Sequence, residues 1–121
     1  MAVTVVAKTK VVNAKDFLGP RFIEGQFTDT FSVIENLEIV VNNRKLVVPS
    51  SAFIDLVDVR KCELILSAGQ GVLHIYGGDG SESFEGEIYF DKVAVRRRAV
   101  FDPASPKKPM EETIYSLRVI E

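Results

Sequence analysis

The chain has 121 residues, 46% of them hydrophobic, and this suits one domain, residues 1–121, that buries its core without disulfides or structural metal ions. Its 15 basic and 17 acidic residues leave a formal net charge of −2, which argues against a general nucleic-acid binder and a polybasic membrane anchor. Cys62 is the only cysteine, so no intramolecular disulfide can form and a reducing compartment is expected.

The N-terminal segment does not predict a secretory signal, because no basic stretch precedes its short apolar run and the lysines follow that run. No segment approaches the roughly 20 apolar residues that a membrane-spanning helix needs. We therefore expect a cytoplasmic protein that does not engage a membrane.

Apolar and polar residues alternate with a period of two along most of the chain, which predicts a mainly β fold. In the first half, a hairpin loop is predicted at Asn42 and Asn43, since asparagine tolerates positive φ. Pro49 ends the following strand, and Ser50 or Ser51 can cap a short helix over Ala52–Val57. The strands predicted in this half are Val3–Val12, Phe22–Val33, Leu37–Val41 and Lys45–Val48.

In the second half, a four-residue turn, Ala68–Gly71, is predicted between two strands. The proline-rich segment Asp102–Glu112 cannot be a central strand, because proline has no N–H to donate to a ladder. The strands predicted here are Cys62–Ser67, Val72–Gly77, the two arms of a hairpin within Phe84–Phe101, and Thr113–Ile120. The predicted fold is mainly β with one short helix (α+β), as an antiparallel sheet curled into a sandwich or open barrel.

The hairpin within Phe84–Phe101 has one acidic and one basic arm. A loop at Asp91 and Lys92 would place Glu87 opposite Arg96 and Arg97 opposite Gly86 on the apolar face. A longer loop stays open, because Asp-Lys lacks the glycine or asparagine that two-residue loops favour. An inward Arg97 predicts either an anion or carboxylate site, or an aliphatic stem used in packing.

Sequence patterns for catalysis and for metal binding are weak. The predicted register places Cys62 and His74 on opposite sheet faces, which disfavours a nucleophilic dyad, so no catalytic residue is predicted. One histidine and one cysteine cannot form a structural zinc site, and neither a metal nor a cofactor is expected. A divalent ion gathered by Asp79, Glu82 and Glu85 is the alternative to a solvated turn at these residues.

The glycine cluster after the strand that ends at Gly77 is the remaining candidate site. Gly77, Gly78, Asp79 and Gly80 predict either a bulge with a wide turn or an exposed loop that presents amides and a carboxylate to a ligand or protein. With Arg97 and His74, these four residues form the predicted binding set.

Several short segments follow one another between about residues 37 and 117. Their order resembles small uncharacterised bacterial β-rich proteins, some of which look like immunity partners of secreted toxins. The resemblance implies an interaction protein but assigns no role to any single residue. The segments are Val-Pro-Ser-Ser before the predicted helix, Ile-Tyr-Gly-Gly-Asp-Gly, Phe-Glu-Gly-Glu-Ile-Tyr-Phe-Asp, Val-Arg-Arg-Arg and Glu-Glu-Thr-Ile-Tyr.

Three functions remain in competition. A non-enzymatic protein-interaction module, of which an immunity-type binding protein is one form, would use a sheet edge or the loop from Gly77 to Ser83. A small-ligand-binding β-barrel protein would enclose a pocket lined by aromatic residues. An enzyme would rely on His74. A protein partner or a homo-oligomer formed through sheet edges is expected, and nucleic acid is disfavoured.

Overall fold

The computed structural model describes residues 1–20 and 30–117, and it confirms a mainly β fold. These residues form two separate antiparallel sheets that do not close on themselves, one in the order β1-β2-β3 and the other β4-β5-β6-β7-β8. The strands are β1 (Val3–Asn13), β2 (Thr30–Val41), β3 (Arg44–Lys45), β4 (Val59–Ser67), β5 (Gln70–Gly77), β6 (Phe84–Phe90), β7 (Val95–Phe101) and β8 (Glu111–Ile114).

The three-stranded sheet forms largely as its alternation predicts. Asn42 and Asn43 have φ of 50° and 65° and make the expected two-residue loop, so that Val41 pairs with Arg44. The two strands predicted at Phe22–Val33 and Leu37–Val41 merge into β2, with a bulge opposite Lys8 and Thr9. Residues 21–29, which hold most of the first of these, lie outside the described residues.

The predicted helix over Ala52–Val57 is wrong. Only a single 3-10 turn forms, at Ser50–Ala52, and the chain then bends. Asp58 has φ of 54° and donates its N–H to the carbonyl of Ser32 on β2. A helix that continued to Asp58 would use this N–H within the helix, so the two arrangements exclude each other. The apolar residues of the segment are buried as their spacing suggests: Ala52, Phe53, Leu56 and Val57.

The hairpin of β4 and β5 has a two-residue loop, so the predicted four-residue turn is wrong. Ala68 and Gly69 have φ of 50° and 78°, a geometry that matches the twist of the flanking strands. Leu64 consequently pairs with Leu73, whereas a four-residue turn would place it opposite Ile75, two positions away. Because side chains alternate with a period of two, this shift leaves every residue on its predicted face.

The hairpin of β6 and β7 also differs from its predicted register. The shift is three residues for the pairs from Glu85 to Tyr89, which lie beyond the bulge from the loop. Asp91 accepts hydrogen bonds from the backbone N–H groups of Val93 and Ala94, which makes the loop longer than two residues. A bulge then leaves Arg96 without a partner in the ladder. As a result Arg97 pairs with Tyr89 on the outer face, and the inward arginine is Arg98.

The core lies between the two sheets. Several of its side chains have no exposed surface, among them Ile39, Leu56, Ile75 and Ile88, which come from four different segments. Strands β1 and β4 each end a sheet and are exposed along most of their length. Within the described residues, no helix is long and apolar enough to cross a membrane.

Strand β8 spans Glu111–Ile114 and pairs with β7, and it starts two residues earlier than predicted. The proline-rich segment before it forms a loop, closed by a bridge between Asp102 and Ser105, as its prolines require. Residues 118–121, the end of the predicted last strand, lie outside the described residues.

Candidate functional site

A polar network covers the outer face of the five-stranded sheet, around His74 on β5. His74 pairs with Glu87 on β6, and Glu85 lies diagonally from it on the same strand and the same face. The imidazole Nδ1 is 3.2 Å from Glu85 Oε1, and its Nε2 is 3.4 Å from Glu87 Oε2. The side chains of His74 and Glu87 are each 14% exposed, and that of Glu85 is 26% exposed. One imidazole is thus flanked by two carboxylates that are mostly buried.

The network continues across β6 to β8. The hydroxyl of Tyr89 donates to Glu87 Oε1 at 2.9 Å, and burial together with this bond raises the pKa of Tyr89. The guanidinium of Arg97 lies 4.8 Å from the centre of the Tyr89 ring and donates to Glu112 Oε2 at 2.6 and 2.9 Å. The hydrogen bond with Glu112 raises the pKa of Arg97. Arg97 therefore binds a carboxylate of its own chain, on the solvent side of the sheet.

On the β4 side of His74, the carboxylate of Glu63 forms an ion pair with Lys61. Glu63 on β4 pairs with His74 in the ladder, and Lys61 donates to Glu63 at 2.8 Å. This hydrogen bond lowers the pKa of Glu63. Tyr76 donates to Glu63 at 3.3 Å and stacks on the ring of His74, with ring centroids 6.2 Å apart. The stacked phenol thus shields one side of the imidazole.

Among the described residues, one group of side chains could hold a metal ion, namely His74, Glu85 and Glu87, whose ligand atoms lie within 4.8 Å of one another. It differs from the predicted grouping of Asp79, Glu82 and Glu85. Asp79 lies within 3.8 Å of Arg60 and is 87% exposed, while Glu85 faces His74 instead.

The glycine loop forms a turn after the end of β5, in which a 3-10 turn spans Gly80–Glu82. Gly78 and Gly80 have φ of 73° and 54°, and a Cβ on Gly78 would lie 2.1 Å from the carbonyl oxygen of Glu82. Two backbone amides that the loop could have presented are used internally, since Gly78 N–H bonds to Asp58 and Glu82 N–H to Asp79. Gly77 is buried against the ring of Phe84. These contacts favour the turn interpretation of the cluster over an amide-presenting loop.

An apolar groove lies beside the β4 edge, between the two sheets, with a volume of about 230 Å³. The exposed fractions of Leu64, Ile65 and Leu66 on this strand are 38%, 51% and 44%. Cys62 also faces the groove, and desolvation raises the pKa of its thiol. The groove is lined by Val5, Ala7, Leu37, Cys62, Leu64, Leu73 and Ile75.

The structure brings together only part of the predicted binding set. His74 and Arg97 share the outer face, where they are linked through Glu87 and Tyr89. The glycine loop is instead tied to β4, because Arg60 donates to the carbonyl of Gly78 at 2.7 Å. Cys62 and His74 lie on opposite faces, as predicted.

The sequence reasoning missed Glu85 and Glu87 as partners of His74. Period-two alternation on two adjacent strands could have found them, since it places all three residues on outward positions. Their approach to one imidazole additionally depends on how β5 pairs with β6, and only the fold provides this register.

Comparison of the chain with known protein families, with curated proteins and with solved structures finds no match. Function is therefore inferred from the geometry of the chain itself.

Proposed function

We propose that this chain is a non-enzymatic protein-interaction module that binds an extended segment of another protein along strand β4. The observation that carries the proposal is the nine-residue edge strand itself, whose exposed apolar side chains border an apolar groove. An exposed apolar edge strand is a template for pairing with another chain.

The backbone of β4 supports this mode of binding. Strand β4 pairs with β5 on one side and has no neighbouring strand on the other among the described residues. In an antiparallel pair, every second residue directs its N–H and C=O toward the neighbour, so the intervening residues direct theirs to the free edge. An added strand would satisfy these groups with main-chain hydrogen bonds.

Strand β1 is the other long edge strand, and its side chains disfavour the same role. It carries Lys8 and Lys10, both exposed, and lysines on an edge oppose strand addition because the incoming chain must desolvate them. The stretch Leu64–Leu66 on β4 carries no charge. The charged residues of β4, Arg60, Lys61 and Glu63, precede this stretch and form ion pairs within the chain, so the C-terminal part of β4 is the part of this edge that is open to strand pairing.

The groove defines the chemistry of the partner segment. Its lining is apolar throughout, and side chains of an added strand would alternate between the groove and the outer face. The partner is therefore an extended segment with aliphatic residues at every second position. Polar residues between them would meet Lys61 and Glu63 on the outer face. An immunity-type protein whose partner is a toxin is one form of this function.

The test uses fluorescent ten-residue peptides that alternate valine and threonine, with binding measured by anisotropy. We expect the chain to bind them and Leu64→Lys to weaken binding at least tenfold, because the lysine places a charge at the groove. The matched control is Val6→Lys, which adds the same charge to the β1 edge at a residue that is 51% exposed. This control should bind like the unmodified chain.

A second arm uses no variant of the protein. The same peptide, N-methylated at every residue, cannot donate main-chain hydrogen bonds from either edge and should not bind. Equal binding of the methylated and unmethylated peptides, or equal binding by Leu64→Lys and Val6→Lys, would contradict the proposal. A concentration-dependent dimer in sedimentation, abolished by Leu64→Lys, would show that the edge pairs with a second copy instead of a different protein.

A further inference from the structure

We propose that His74, Glu85 and Glu87 bind a divalent transition-metal ion, with Zn²⁺ as the favoured ion. The site lies on the outer face of the five-stranded sheet and is independent of the groove at the β4 edge. Imidazole nitrogen and carboxylate oxygen are both ordinary zinc ligands, and three protein ligands leave a fourth position for water.

The separation between either ring nitrogen and the carboxylate beside it fits the size of such an ion. Zinc ligands lie about 2.0–2.2 Å from the metal in tetrahedral geometry, which places them about 3.3–3.6 Å from one another. Nδ1 of His74 is 3.2 Å from Glu85 and Nε2 is 3.4 Å from Glu87. These two contacts involve opposite ring nitrogens, so one ion takes one nitrogen together with the carboxylate beside it. The ligand atoms of the three residues lie within 4.8 Å of one another, and the second carboxylate reaches the same ion by rotating its side chain.

The charge around the imidazole also favours a cation. Glu63 and Glu112, the other acids in this row across the sheet, are paired with Lys61 and Arg97. Within the described part of the chain, Glu85 and Glu87 form no ion pair with a lysine or arginine, and their ionic contacts are with His74. An imidazole carries at most one positive charge, so two partly buried carboxylates retain an excess negative charge that a divalent ion balances.

The ligands are held in place by the sheet before any ion binds. Strands β5 and β6 are inner strands with neighbours on both sides. The hydroxyl of Tyr89 holds one oxygen of Glu87, and Tyr76 stacks on the His74 ring. Outer contacts of this kind orient metal ligands and raise affinity.

The test measures Zn²⁺ binding to the metal-free chain by calorimetry, with Cys62→Ser as the background so that the thiol cannot bind the ion. We expect one zinc per chain, and at least tenfold weaker binding in Glu87→Gln and in His74→Ala. Glu112→Gln is the matched control, because this acid lies on the same sheet face and is already paired with Arg97. Its affinity for zinc should not change.

A second measurement needs no change at the site. The chain contains one histidine, so its ring nitrogens give a single, unambiguous pair of NMR signals. One equivalent of Zn²⁺ should shift them. Unchanged ring signals at millimolar zinc, or equal affinities in Glu87→Gln and Glu112→Gln, would overturn the proposal.

Discussion

Arg98, on the inner side of β7, is the buried charge on which we expect stability to depend. It is 3% exposed and joins three segments of the chain. Its guanidinium donates to Asp55 Oδ2 at 2.9 Å, to Glu111 Oε2 at 2.7 Å and to the backbone carbonyl of Ser51 at 2.7 Å. Removing the guanidinium would leave two carboxylates and a carbonyl without this donor.

Arg98→Ala should lower the free energy of unfolding by about 3 kcal/mol. Breaking a buried ion pair by removing one partner costs about 3–5 kcal/mol, because the remaining charge stays desolvated. The lower end applies here, since the side chains of Asp55 and Glu111 are 25% and 30% exposed and can be partly rehydrated.

Arg97→Ala is the matched control, one residue away on the opposite face. Arg97 pairs with Glu112, whose side chain is 43% exposed, and it lies over the Tyr89 ring. Exposed ion pairs contribute about 0–1 kcal/mol and an exposed cation–π contact about 0.5–1 kcal/mol, so a loss of about 1 kcal/mol is expected.

Urea denaturation followed by circular dichroism measures both variants, with the m value as a check that the unfolding transition keeps its size. We expect Arg98→Ala to unfold at a clearly lower urea concentration than Arg97→Ala. Losses that agree within about 0.5 kcal/mol would refute the reasoning, because they would mean that Arg98 gains nothing from its buried partners.

Two further predictions concern loops. Gly80→Ala should lower the free energy of unfolding by about 1 kcal/mol, because residue 80 has a positive φ. Gly78→Ala should lower it by about 1–3 kcal/mol more, because the new methyl group would lie 2.1 Å from the carbonyl oxygen of Glu82. Equal melting temperatures of the two variants in calorimetry would contradict this. Burial of Asp91 is outweighed by hydrogen bonds from two backbone amides and Arg96, so its pKa lies below the usual value. Because the pKa of Asp91 is lower in the folded state, the ionised carboxylate stabilises the fold above about pH 4, and this contribution is lost as the pH falls through the folded pKa. Asp91→Asn should be less stable than the unmodified chain at pH 7, and this difference should shrink as the pH is lowered to about 2; a stability difference that is the same at both pH values would count against this.

Alternation and loop chemistry predicted much of the fold. The asparagine loop at Asn42 and Asn43 formed as expected, since its conformation is determined by the residues within it. The β4–β5 register differed by two positions, yet the faces of Cys62 and His74 were right because an even shift preserves them. The short helix was wrong, because contacts between Asp58 and a distant strand compete with helical hydrogen bonds.

The candidate sites were predicted less well than the fold. His74 was predicted as a binding residue and as the residue on which an enzyme would rely, but its partners Glu85 and Glu87 were assigned to other roles. Arg97 was predicted to point inward, and Arg98 takes that position instead. Each of these features depends on which residues of two strands lie opposite each other.

The sequence by itself determined the mainly β character of this protein, the asparagine turn at Asn42 and Asn43 and most of the alternating faces, because these depend on neighbours within a few residues. Only the tertiary structure decided the register of β6 and β7, and with it the position of each arginine. The reason is that two forces select this register together, namely the hydrogen bonds within the Asp91 loop and the ion pair of Arg98 with Asp55, which lies 43 residues away in the chain. Local charge matching between β6 and β7 is worth less than about 1 kcal/mol per exposed pair, so it is outweighed by a buried ion pair that the local sequence does not reveal.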